Sequence, residues 1–251
     1  MKISKNHIRL FIAAAFALAL VAASGLAGAQ VAESRPGGAP GVVVADVHEV
    51  AAIKHVTDAA VVVQRMLQEP RMKELLQQAK GIFIVPTYGR AAIGVGASGG
   101  AGVLVVRRAD GGWSDPLFYN IGGISAGAQI GAESGAIAMV LMNEKAVNKF
   151  MQKNAFSLNA ASGLTIVNWT KIAQGNVGAG DVVVWAGTKG LYGNLVAVGV
   201  SDIRYNETFT NSFYHATVTP AEVIAGKYTN PHSDILRRAL AAASGTPPAV
   251  R

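Results

Sequence analysis

The run from Trp113 to Asn143, WSDPLFYNIGGISAGAQIGAESGAIAMVLMN, restricts the fold of this chain more than any other stretch. It is apolar through most of its length, and glycine recurs where charge would ordinarily interrupt. Gly123, Gly127, Gly131 and Gly135 stand four apart, with Glu133 as the formal charge among them. That spacing is the pattern of a small-xxx-small contact between transmembrane helices. A helix built from it would lose about 1 kcal/mol at each glycine relative to alanine. It would also set Glu133 near mid-bilayer, where a charge costs about 2.5 kcal/mol or more. The stretch reads better as β-structure, with strands over 118–125 and 137–142 and Gly-rich, strand-forming sequence between them.

Two catalytic or cofactor motifs overlap this region. Gly123-Ile124-Ser125-Ala126-Gly127 spells G-x-S-x-G, and Asp202 followed by His215 or His232 supplies the chain order of a hydrolase triad. A nucleophile elbow needs a strand-to-helix turn and an oxyanion segment upstream. Neither a helix start after Ser125 nor a His-Gly-Gly-Gly segment before it is present. Gly94-Val95-Gly96-Ala97-Ser98-Gly99 matches G-x-G-x-x-G, but a pyrophosphate site needs a helix next. Here the β-branched run Val103 to Arg107 comes next, which reads as a strand.

At the N-terminus, Lys2, Lys5 and Arg9 precede an apolar run from Leu10 to Ala23 and an Ala27-Gly28-Ala29 cleavage pattern. Residues 1–29 therefore read as a secretory signal. Losing its three cations takes the formal charge from +7 to +4, so much of the basicity belongs to the leader, and nucleic acid is not expected as a partner. The chain has no cysteine, which excludes disulfide stapling. Residues 30–45 form a Pro/Gly-rich lead-in, residues 46–243 one domain, and residues 244–251 a frayed tail.

Within the domain, Ile53, Val56, Ala60, Val63 and Leu67 recur at helical spacing and predict a helix over 46–68. Glu69-Pro70 breaks it, and a short helix is expected over 71–79. Strands are expected over 81–86, 91–95 and 103–107, with a turn at Asp110-Gly111-Gly112. Asn143 reads as the cap of a helix over 144–152. Further strands are expected over 164–169, 181–185, 195–200 and 208–214. Thr219-Pro220-Ala221-Glu222 is a helix start, and a last helix covers 233–243. Strands outnumber helices and the loops are too short for repeated βαβ crossovers. The fold class is α+β, a mainly antiparallel sheet or barrel-like core with N-terminal and C-terminal helices packed on it.

Several ordered blocks carry a family resemblance. AKGIFIVP over 79–86, the Gly94–Gly102 run, Trp113-Ser114 with Pro116 and Phe118-Tyr119, Ile121-Gly122-Gly123, Gln129-Ile130-Gly131 and Glu144-Lys145-Ala146 resemble the signature of the SYLF family. Asp181 to Val184, Lys189-Gly190-Leu191 and Asn211 to Tyr214 fall where that family has its later blocks. The likeness covers about Val50 to Gly226. Trp185-Ala186-Gly187-Thr188 departs from the Tyr-Ser-Arg-Ser-like sequence usual before Lys-Gly-Leu in eukaryotic members, which removes a basic residue.

The resemblance implies a non-catalytic domain that binds phospholipid or phosphoinositide head groups at an anionic membrane surface. In yeast the domain is also described as actin-binding, a partner not expected for an exported chain in its own cell. Phosphate heads call for cationic donors. Those on or beside the family blocks are Lys80, Arg90, Arg107, Arg108, Lys145, Lys149 and Lys189. Lipid binding in the family is linked to an N-terminal helix, where Lys54, Arg65, Arg71 and Lys73 supply the charge. Strand alternation sends Arg107 and Arg108 to opposite faces, and Lys145 and Lys149 share one helix face.

No cofactor or metal is expected: His48, His55, His215 and His232 show no paired ligand spacing, and Asp202 with Glu207 reads as loop charge. An alternative is an envelope protein whose Gly-rich strands mediate partner binding or homo-oligomerisation; a serine hydrolase using Ser125 stands third. The expected location is exported, periplasmic or secreted, with peripheral membrane association.

Overall fold

The computed structural model describes residues 46–152, 154–158, 162–175, 180–188 and 200–244. The leader, the lead-in, nearly all of the tail and Lys189 lie outside them. Helix α1 (Val47–Met66) opens on Asp46, whose side chain accepts from the His48 N–H at 2.9 Å. Its inner stripe buries Ala52, Val56, Ala59, Ala60, Val63 and Met66. Arg71, in the left-handed region at φ 65°, turns the chain into α2 (Met72–Gln78).

Two long strands form the middle of the sheet. Strand β1 (Gly81–Val106) pairs antiparallel with β2 (Leu117–Leu141), from Gly81 opposite Leu141 to Leu104 opposite Leu117. The three strands expected over 81–107 are thus one, and the Gly-rich run that matched a nucleotide fingerprint lies inside it. The register shifts between Val85 and Tyr88, beside Pro86. Proline has no N–H to give to a ladder and is accommodated at such bulges. A second shift lies between Ile93 and Val95.

β1 doubles back on itself. The Arg107 N–H, just past its end, donates to the Lys80 carbonyl, just before its start, at 2.7 Å. Gly100 and Gly102 pass so close to Thr87 and Ile84 that a Cβ on either would reach a carbonyl oxygen within 2.7 Å. The far edge of β2 is shared by β5 (Val182–Ala186), at residues 137–141, and β6 (Val200–Tyr205), at residues 119–121. β3 (Phe156–Leu158) extends β6 antiparallel, and β4 (Ile166–Asn168) lies parallel to β5. The expected mainly antiparallel sheet with helices packed on it is what forms.

Between these strands, α3 (Glu144–Phe150) is capped by Asn143, whose Oδ1 accepts from Ala146 N–H at 3.0 Å. Asn143 Nδ2 in turn donates to Asp181 at 2.6 Å. Helix α4 (Trp169–Ala173) comes directly after β4. The segment expected as a strand over 208–214 is a helix, α5 (Glu207–Tyr214): Asn206 caps it by accepting from Phe209 N–H at 3.0 Å, and Thr210, Phe213 and Tyr214 turn inward. α6 (Pro220–Ile224) carries the full capping box between Thr219 and Glu222. α7 (Asp234–Ser244) closes the domain. α1 packs on β1, α5 and α7.

The core is aromatic at its centre. Tyr119 meets Phe83, Phe150 and Tyr205 edge-on or nearly so, and its hydroxyl donates to the Phe150 carbonyl at 2.6 Å. Burial pushes its phenol well above the ordinary range. The Trp113-Ser114-Asp115-Pro116 block is buried throughout. Ser114 Oγ accepts from Val106 N–H at 3.0 Å and donates to the Asp115 carbonyl. Asp115 pairs with Arg237 of α7 at 3.7 Å, which ties the last helix to the hairpin.

Candidate functional site

Two surfaces emerge from the cationic candidates. The first is the outer face of α1. At about 100° per residue, Val47, Val50, Lys54, Val61 and Arg65 fall within about 60° of arc, opposite the buried stripe. The valines are 72%, 55% and 50% exposed, the large apolar side chains that α1 leaves in water. Lys54 and Arg65 stand among them, both exposed, and Lys54 pairs with Asp58 at 2.5 Å. Arg71, which pairs with Glu74 at 3.5 Å, and exposed Lys73 lie in the next turn of chain. The cations were legible in the sequence. The exposed valines were not, because valine also fills the buried stripe of the same helix.

The second surface is a cleft of 670 Å³ between the β1–β2 hairpin, α3 and α6. Val106, Val147, Met151 and Ile224 line it, and Arg107 and Arg108 supply its cations. Just past the end of β1 at Val106, Arg107 bridges antiparallel to Trp113, and both arginines line the cleft. Arg107 is fixed: its guanidinium donates to Leu76 and Gly111 carbonyls at 3.0 and 3.1 Å and sits 4.0 Å over the Trp113 ring. Burial lowers its pKa. Arg108 Nη2 is held by Asp110 at 2.8 Å, while its Nε is buried with no hydrogen-bond partner. Asp110 and Glu144 add acidic groups at the rim. Asp110 titrates lower than usual, chiefly because it accepts from the Gly112 N–H.

The remaining candidates are scattered. Lys145 donates to the Gly163 carbonyl, Lys149 is half-buried on the same helix, Lys80 is exposed, and Arg90 stands opposite Glu133 in the β1–β2 ladder. Ser125 lies inside β2 opposite Gly96, so the strand-to-helix turn of a nucleophile elbow is absent there. Asp202 bonds Arg204 at 2.6 Å. His48 and His55 lie against the Phe209 ring, and His215 pairs with Glu49 at 3.1 Å. Among the described residues no three acidic or histidine side chains group as metal ligands, and no helix is long and apolar enough to cross a membrane.

Residues 122–243 match the family model Ysc84, described as "Las17-binding protein actin regulator". The chain is similar to SH3 domain-containing YSC84-like protein 1 of Homo sapiens, 26% identical over 160 residues, covering 62% of this chain and 46% of that protein. It is likewise similar to Protein YSC84 of Saccharomyces cerevisiae, 26% identical over 172 residues, covering 66% of this chain and 36% of that one. LAS seventeen-binding protein 3 of the same species matches at 26% over 163 residues, 63% of this chain and 35% of its own length. The aligned region thus spans less than half of these relatives. No solved structure matches the chain. Residues 122–243 thus carry the likeness to the Ysc84, or SYLF, family, and relatives from yeast to mammals align with 62–66% of this chain.

Proposed function

We propose that this chain is an exported, non-catalytic protein that binds anionic membrane surfaces through the outer face of α1, meeting phospholipid or phosphoinositide head groups there. The observation that carries the reading is the interleaving of exposed Val47, Val50 and Val61 with Lys54 and Arg65 on one face of a helix whose opposite face is fixed to the core. A helix of this kind lies in the interface plane, with its apolar side chains at the acyl boundary and its cations at head-group level. Each cation near an anionic surface contributes about 1 kcal/mol, so Lys54, Arg65, Arg71 and Lys73 together reach about 4 kcal/mol. Burying each valine adds up to about 1.5 kcal/mol. Together these sums support reversible peripheral binding.

The family description, a Las17-binding actin regulator, and the relative named LAS seventeen-binding protein 3 support the same reading at a coarser level, that of a binding domain. The test is cosedimentation of residues 30–251 with neutral and anionic vesicles at low and high salt. The expected outcome is binding to anionic vesicles that falls with salt and is lost in the Lys54→Glu/Arg65→Glu double variant. Binding unchanged by salt or by the charge reversals would overturn the proposal.

A further inference from the structure

We infer that the cleft between the β1–β2 hairpin, α3 and α6 is a separate binding site for a small organic anion with an apolar body, a carboxylate or phosphate monoester carried on a short chain. Its volume, 670 Å³, falls in the range of small-molecule sites, which are apolar clefts with a few placed polar groups. Val106, Val147, Met151 and Ile224 give the apolar lining, contributed by three separate elements that the fold brings together.

The polar groups are unequal. Arg107 has its guanidinium committed to two carbonyls and the Trp113 ring, so it acts as a fixed positive charge beside the cleft. Arg108 has Nη2 bound to Asp110, and its Nε is buried without an acceptor. Nη1 stands where a Cβ on Gly226 would come within 3.3 Å, so glycine at 226 leaves the guanidinium its room. A buried charged donor without an acceptor is unfavourable, and a small rotation that brought an anionic oxygen to this guanidinium would relieve it. Asp110 and Glu144 at the rim disfavour polyanions, which limits the class to heads of low charge. None of these residues belongs to the outer face of α1, so the site stands or falls apart from the membrane reading.

The experiment is calorimetric titration of residues 30–251 with octyl phosphate, octanoate, 1-octanol and inorganic phosphate, each below its aggregation limit. One-to-one binding of the two anionic octyl compounds is expected, with 1-octanol and inorganic phosphate weaker by about tenfold or more, the worth of a charge-assisted hydrogen bond. Arg108→Gln removes the advantage of the anions over 1-octanol. Ala221→Trp, at an exposed cleft residue outside the core, fills the space and abolishes binding while thermal unfolding and salt-sensitive vesicle binding stay as in the parent. Equal binding of 1-octanol and octyl phosphate, no binding of either anion, or undiminished binding by Ala221→Trp would overturn the assignment.

Discussion

A Cβ placed on Gly102 would stand 2.7 Å from the carbonyl oxygen of Ile84 and 2.5 Å from the Phe83 ring. Glycine is required there by the approach of one backbone to another, since β1 folds across its own first half. Phe83 is fully buried against Phe150 and Tyr119, so its ring has nowhere to retreat. Gly102→Ala should therefore destabilise the domain by about 2–3 kcal/mol, in the upper range for overpacking. Gly89→Ala, where nothing lies within 4 Å, should be close to neutral. Urea midpoints of the two variants check this, and equal midpoints would refute the close-approach argument.

Asp115 is completely buried and pairs with Arg237, itself nearly buried. Removing one member of such a pair leaves the other charged and desolvated, at a cost of about 3–5 kcal/mol. Asp115→Ala should show that loss in chemical denaturation. A double variant, Asp115→Ala with Arg237→Met, should recover part of it. A double variant no more stable than the single one would mean that Asp115 acts through its other contacts.

His55 bears on pH. Burial lowers its pKa below the ordinary 6.5, outweighing the pull of Asp58 in the other direction. Below pH 6.5 the unfolded chain takes up a proton at this position that the folded chain resists, so stability falls as pH drops toward the folded pKa. His55→Phe, which keeps a ring against Phe209, should lose less stability between pH 7 and pH 5 than the parent. Identical pH slopes would place the acid sensitivity elsewhere.

On the outer face of α1, Val50→Asp with Val61→Asp should weaken binding to anionic vesicles by about tenfold or more while leaving unfolding within about 0.5 kcal/mol, as expected at exposed sites. Each change removes apolar area and adds a like charge to the approaching surface. Unaltered vesicle affinity would mean that the valines do not enter the interface.

Much of this arrangement is legible in the amino-acid sequence. The α1 stripe, the Asn143 cap and the Thr219–Glu222 box are local signals, set by periodicity or by a side chain reaching a backbone N–H within three residues. Where the sequence misleads, distant contacts decide. Glu207–Tyr214 is rich in β-formers, yet the Asn206 cap and the inward packing of Phe213 and Tyr214 make it helical. Pro86 and the glycines after it look like strand ends, yet a bulge and the folding back of β1 absorb them. Arg107 and Arg108 line a cleft with α3 and α6, elements distant in sequence that no local pattern connects to them.

The contact between Glu49 and His215 at 3.1 Å and the packing of α1 on α5 and α7 join the two ends of the domain. That carries a kinetic cost, because contacts so far apart in sequence close large loops and slow folding. During synthesis α1 emerges early but waits for the last quarter of the chain before its C-terminal partners exist. A chain truncated before Asn206 lacks both helices, leaving the inner stripe of α1 partly uncovered and open to aggregation.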